Sequence, residues 1–310
     1  MPQIVFAYSE YIVAGGENIG LEITNKGIII AGFYKVDNTY PGHDANLLKG
    51  DIITKVNDIK IDGINDFVEV IKTLDTTNIK IDYIRNNTNQ STFLKLIKKD
   101  GVLKTGLYVK DMVSGIGTLT FIDPNTKIFG ALGHEVAEST TGIMLNVKDG
   151  KIYYSTVNSI DKSIRGEPGA KNASVDQNNV FGNISENTKV GVFGTYSNYI
   201  DNNKLYKVAK FKDIKLGDAK IITVLNGDDK KEYNIKILDV NNDNKENKNI
   251  LFEINDKNLI DKSGGIVQGM SGSPIIQDGY IIGAVTNVVV NNPIRGYGVL
   301  ITKMLEEAEN

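Results

Sequence analysis

The chain has 310 residues, a formal net charge of −3, 41% hydrophobic and 24% charged residues, and no cysteine. This is the composition of an ordinary globular protein long enough for two domains. It excludes disulfide and thiolate chemistry and gives no basic excess for nucleic acid or an anionic membrane surface. With only His43 and His134 as imidazoles, a multi-histidine zinc site is hard to build, and no metal or cofactor is expected.

Residues 1–9 read as a lead-in whose apolar stretch, 2–7, lacks the charged start and cleavage pattern of a signal peptide. No run reaches the length of a membrane-spanning helix. Either the protein is cytosolic or the chain begins after a removed anchor or signal. Residues 27–33 are β-branched and flanked by glycines, which predicts a strand. Residues 45–58 read as a short helix, a Gly50-Asp51 turn and a strand. Residues 62–74 place Ile64, Phe67, Val68, Val70, Ile71 and Leu74 at largely helical spacing. Residues 79–83 and 92–97 alternate as strands. His43, in Tyr40-Pro41-Gly42-His43-Asp44, reads as a solvated loop histidine.

This order, with Leu47-x-x-Gly50-Asp51-Ile52-Ile53-x-x-Val56-Asn57, resembles a PDZ domain over residues 10–98. PDZ domains bind an extended peptide as an added strand. The resemblance implies that Ile19, Gly20, Leu21, Glu22 and Ile23 form the carboxylate-binding loop and the strand beside the peptide. A groove blocked, or used only for packing on the second domain, is the alternative.

Lys98-Lys99-Asp100-Gly101 is a polar break. From residue 101 to 310 the pattern is of short strands separated by turns, as in a β-sandwich or barrel. Residues 241–248 read as a solvated loop and residues 302–309 as a terminal helix with Leu305 and Ala308 inward. Two stretches carry chemistry. Residues 115–136 read as a strand, an Asp123-Pro124 turn and a second strand that ends at Gly133-His134-Glu135-Val136. In Gly269-Met270-Ser271-Gly272-Ser273-Pro274, small residues around Ser271 allow a tight turn whose amides, those of Gly269 and Ser271, would receive an oxyanion. Asp278-Gly279 between two apolar runs is a hairpin signal. A serine needs a base within reach, and His134 is the histidine placed to serve. The esterase elbow opens a helix, whereas here a strand follows.

Both stretches resemble trypsin-like serine peptidases, so the expected fold is mainly β: an α+β PDZ domain followed by a chymotrypsin/trypsin-like double β-barrel. A carboxylate should orient the histidine. By the general trypsin-like layout Asp161, Asp176, Asp201 and Asp218 qualify, and Asp218 has the local look of such a site. A PDZ domain ahead of Gly133-His134-Glu135 and Gly265-Ile266-Val267-Gln268-Gly269-Met270-Ser271-Gly272-Ser273-Pro274-Ile275 is similar, over essentially the whole chain, to the sporulation stage IV protein B peptidases of endospore-forming bacteria. Arg165-Gly166-Glu167-Pro168-Gly169 and Thr223-Val224-Leu225 fit that family too.

That resemblance implies Asp256 as the third catalytic member, with Asp218 as its rival. It implies a serine endopeptidase of sporulation signalling that processes itself and cleaves the regulatory partner of a membrane-embedded protease, which then activates a late sigma factor. It places the enzyme between the two forespore membranes and gives the PDZ domain substrate, or a second copy of the enzyme, to hold. Family members carry a membrane anchor ahead of the PDZ domain, and this sequence has no such segment. The competing reading is a PDZ scaffold fused to an inactive barrel. Residues 263–267, expected at the floor of the primary pocket, contain no acid to pair a substrate Lys or Arg, and Asp261 is the nearby carboxylate that a loop movement would have to bring in.

Overall fold

The computed structural model describes residues 8–201 and 204–309, so most of the expected lead-in lies outside the described residues. The chain forms two compact units. One comprises the described part of Met1–Glu22, Ser114–Val136 and the described part of Asp149–Asn310. The other comprises Ile23–Val113 and Ala137–Lys148.

The chain opens with β1 (Tyr11–Ala14) and the sixteen-residue β2 (Asn18–Phe33). From Ile23 onward β2 belongs to the second unit, followed by α1 (Pro41–Asp44), β3 (Ile52–Val56), β4 (Ile59–Lys60), α2 (Ile64–Lys72), β5 (Asn78–Arg85), β6 (Thr88–Lys95), β7 (Ile97–Lys99), β8 (Val102–Lys104) and β9 (Leu107–Ile122) as far as Val113. Strand β3 pairs with β2, β4 and β5, and β5 with β6. Helix α2 buries Phe67 and Ile71 in a core with Ile28, Ile30, Ile53, Val56, Ile79, Ile81 and Leu94.

The Gly-Asp turn read from the sequence has a physical cause. Gly50 takes φ +90, and the buried Asp51 carboxylate accepts the Leu48 N–H at 2.7 Å and both Arg85 donors at 2.7 and 2.6 Å. His43 is exposed at the surface of α1, its ring against Phe33 and Tyr40.

Ala137–Lys148 completes this unit from a distant part of the sequence. Asn146 pairs with Lys26 through the backbone and with the Asn25 side chain. Glu138 is buried and accepts from Lys110 Nζ at 2.6 Å and from the Thr140 and Thr141 N–H groups. Burial alone would raise its carboxyl; these donors outweigh burial and hold it at about 2. A carboxyl with a lowered folded pKa stabilises fully above its unfolded pKa, near 4.3, and the stabilisation fades as pH falls toward 2. Lys110→Met should therefore cost about 3 kcal/mol at neutral pH by leaving a buried carboxylate without its ammonium. The difference from wild type should shrink in urea titrations below pH 4.

Ile19–Ile23, expected as the carboxylate-binding loop and the strand beside a bound peptide, lies within β2. It is continuous strand, with Ile19, Leu21 and Ile23 buried. Gly20 is covered by Val175, where a Cβ would meet Cγ1 at 2.4 Å. The alternation of apolar residues that suggested a strand is satisfied by burial, and residues 19–22 belong to the first unit. The unit bearing the PDZ elements also differs from residues 10–98: it starts at Ile23, continues to Val113 and regains 137–148.

The first unit contains β1, the start of β2, the end of β9, then β10 (Ile128–Ala131), β11 (Val147–Asp161, from Asp149), β12 (Ala170–Thr188), β13 (Gly191–Tyr196), β14 (Leu205–Val208), β15 (Gly217–Val224), β16 (Lys230–Val240), β17 (Ile250–Ile254), α3 (Lys257–Ser263), β18 (Pro274–Gln277), β19 (Tyr280–Val288), β20 (Arg295–Leu300) and α4 (Ile301–Ala308). Antiparallel pairing runs β9–β10–β13–β12–β11, with β2 beside β11. The sheet curls back where Leu119 N–H donates to the Glu17 carbonyl at 3.0 Å. The second sheet closes fully in the order β15–β16–β17–β20–β19–β18–β15. Its core is apolar, with Ile221, Ile235, Phe252, Ile275 and Val285 buried. Helix α4 buries Ile301, Met304 and Leu305. The fold is mainly β, as expected, with two curved sheets following the PDZ elements.

Candidate active site

The two stretches singled out by chemistry meet within the first unit. After β18, the chain turns at Asp278 and Gly279, with φ +50 and +81, and returns as β19. Before it, Gly269 and Gly272 both take φ +93, a conformation that glycine adopts without Cβ strain. The resulting turn is tied to β9 on one side. Thr118 N–H donates to the Ser271 carbonyl at 3.0 Å, Thr118 Oγ1 to the Gly269 carbonyl at 2.7 Å, and Thr120 Oγ1 to the Gly272 carbonyl at 2.8 Å. On the other side Gly272 N–H donates to Val285 of β19 at 2.7 Å.

The N–H groups of Gly269 and Ser271 make no hydrogen bond among the described residues. Unused amides two residues apart on one turn are the kind of donors an incoming oxyanion requires. The Ser271 hydroxyl donates to the Thr286 carbonyl at 2.9 Å.

His134 follows β10 through two left-handed residues, Leu132 at φ +70 and Gly133 at φ +73. A branched residue in this region is uncommon and is held by its surroundings. Here Leu132 is buried and its N–H donates to Thr118 at 3.3 Å. Gly133 lies against the residue whose carbonyl accepts the Ser271 hydrogen bond: a Cβ there would be 3.0 Å from Thr286 Cγ2. The imidazole is half-buried, and Nδ1 is 2.8 Å from the Glu135 carbonyl. A carbonyl can only accept, so Nδ1 carries the proton and Nε2 is left as the basic nitrogen.

Among the described residues no carboxylate hydrogen-bonds to His134. Asp256 caps α3: Oδ1 accepts the Leu259 N–H at 3.1 Å and Oδ2 the Asn234 N–H at 3.2 Å. Asp218 is exposed on β15. The cap was open to sequence reasoning, since Asp immediately before helical spacing is a start signal. The Glu135 and Thr286 carbonyls were not, because backbone groups carry no residue signature. Asp256→Ala should lower the melting temperature by a few degrees through cap loss of about 1 kcal/mol. Asp256→Asn should cost part of that, because one amide oxygen cannot replace two accepting oxygens. Differential scanning calorimetry of both variants checks this.

A family model described as SpoIVB peptidase S55 matches residues 101–305, and a PDZ domain model matches residues 18–96. The chain belongs to the SpoIVB peptidase S55 family. This S55 chain is a serine peptidase with an N-terminal PDZ domain, acting on protein or peptide substrates. No curated protein matches it. Among solved structures it is similar to the PDZ domain of an SdrC-like protein from Listeria monocytogenes, with 26% identity, 28% of this chain and 90% of that chain covered, and a TM-score of 0.24. It is also similar to the Rv3671c protease of Mycobacterium tuberculosis in an inactive form, with 13% identity, 63% and 85% covered, and a TM-score of 0.33.

Proposed function

We propose that the protein is a serine endopeptidase of sporulation signalling, with Ser271 as nucleophile, His134 as general base and the Gly269 and Ser271 amides as oxyanion hole. The observation that carries the catalytic assignment is the pair of unused amides beside Ser271, together with the packing of Gly133 on Thr286. In the reaction Ser271 exchanges its bond to Thr286 for one to His134 Nε2. The base takes the hydroxyl proton as Oγ attacks the scissile carbonyl, and later gives it to the leaving amine. Catalytic hydrogen bonds often tighten only in the substrate complex.

By family resemblance the enzyme processes itself and cleaves the regulator of a membrane-embedded protease between the forespore membranes, opening the way to late sigma-factor activation. The PDZ domain would hold that substrate or a second copy of the enzyme. Asp256 is the third catalytic member on the same resemblance. Asp256→Asn would lower the rate by about 10⁴ in that role, and a loss of that size in Asp218→Asn alone would transfer the role to Asp218.

A fluorophosphonate probe should label Ser271 in the purified chain, and Ser271→Ala should not react. Absence of labelling and of cleavage would favour the inactive scaffold. Peptide-library profiling should show small or apolar residues at the cut. Ser263, Ile266 and Val267 are buried without a carboxylate among them, and Asp261 is exposed on α3. Dominant cleavage after Lys or Arg would refute this specificity.

A further inference from the structure

Lys171, near the start of β12, is 3% exposed. Its ammonium donates to Asn18 Oδ1 at 3.3 Å and Thr223 Oγ1 at 3.1 Å, and Asn18 in turn donates to Ser155 at 2.8 Å. None of these partners is ionisable. The stem also lies against Gly269, which is uncharged, and Glu17, next to Asn18 in the chain, pairs with Lys230 through Oε1 while its buried Oε2 has no hydrogen-bond partner among the described residues. Burial, with no countercharge, pushes the Lys171 ammonium down to about 7. A buried cation without an anion is costly to a fold.

The same residue is joined to the nucleophile turn. Its N–H donates to the Gln268 carbonyl at 2.9 Å, while Gln268 N–H donates to Gly169 at 2.8 Å. Its stem lies under Gly269, where a Cβ would be 3.0 Å from Lys171 Cδ and 3.2 Å from its Cβ. The turn resting on this stem carries the Gly269 amide, one of the two assigned to the oxyanion.

We propose that Lys171 is a positioning residue of the peptidase: it fixes Gly269 from beneath and supplies the positive charge whose partner is the transition-state oxyanion. The inference rests on the proposed role of those amides. It acts through the turn and touches no substrate. Above neutrality the ammonium deprotonates and the turn loses that charge, so kcat/KM should carry an alkaline decline of its own.

The test is peptide cleavage by the full chain between pH 5.5 and 9, with fluorophosphonate labelling of Ser271 as control. Lys171→Met keeps the stem and the backbone bonds but not the charge. It should lower kcat about 10- to 100-fold near pH 6.5, leave KM within about twofold because the charge acts on the transition state, and lose the alkaline decline. Asn18→Asp keeps Lys171 but gives it a permanent countercharge. It should lower kcat similarly and move the alkaline decline above pH 9, and it carries the test if Lys171→Met fails to fold. A purely structural role would change melting temperature without moving the pH profile. Wild-type kcat and an unchanged profile in the folded Lys171→Met chain, or in Asn18→Asp, would overturn the proposal. An unlabelled, inactive wild type would instead overturn the reading of the amides on which it rests.

Discussion

Ser271→Ala and His134→Ala are each expected to reduce peptide cleavage by about five to six orders of magnitude while leaving the fold intact. Ser271 contributes one hydroxyl bond, to Thr286, in a turn otherwise held by backbone and threonine contacts. Its removal should cost about 1 kcal/mol or less. The His134 ring is only half-buried and its one hydrogen bond among the described residues is to the adjacent residue's carbonyl, so truncation should cost little stability. If the two act as a unit, the double variant should be little worse than either single one. Rates measured at matched folded fractions, with circular dichroism as the control, decide the matter. Full activity in either variant would remove that residue from the mechanism.

Gly272→Ala is expected to have the largest effect on stability of any one-methyl change at this site. A Cβ there would lie 2.1 Å from the Thr118 carbonyl oxygen and 2.5 Å from the Leu132 nitrogen. Both are backbone atoms in the hydrogen-bonded contact between β9 and the turn before His134, and neither can move alone. The residue also takes φ +93, where alanine is strained. Overpacking and strain together should cost about 3 kcal/mol or more, a fall in melting temperature of roughly 10 °C. The damage should reach catalysis as well, because the same contact joins the serine turn to the strand that leads to the histidine. Gly279→Ala is the control: its φ is +81, but nothing lies within 4 Å of the added carbon, so backbone strain of about 1 kcal/mol should be the whole effect. Thermal melts that rank the two alike would show that the close approach is not what requires glycine at 272.

Local signals were legible in the sequence wherever one residue type had one physical use. Asp278-Gly279 gave the hairpin, Gly50-Asp51 the turn that Arg85 secures, and the spacing of Phe67 and Ile71 the helix α2. The nineteen-residue β12 was not legible: its middle, around Asp176-Gln177-Asn178, is polar and exposed and has no apolar alternation to mark a strand. The burial of Ile19 and Leu21 in the first unit was hidden for the opposite reason, since alternation predicts a strand without saying which core it faces. At the active site, residue types pointed to Ser271 and His134. The groups that hold them here are the carbonyls of Thr286 and Glu135 and the stem of Lys171, none of which has a motif.

The unit bearing the PDZ elements has two segments, entered after Glu22 and again after Val136. The chain therefore passes between the two units four times rather than once. A nick in the polar break at 98–101 would leave β1 and the start of β2 on one polypeptide, while their partners in β9, β11 and β14 stay on the other. Each folded unit would then contain both fragments, and cutting there would release neither.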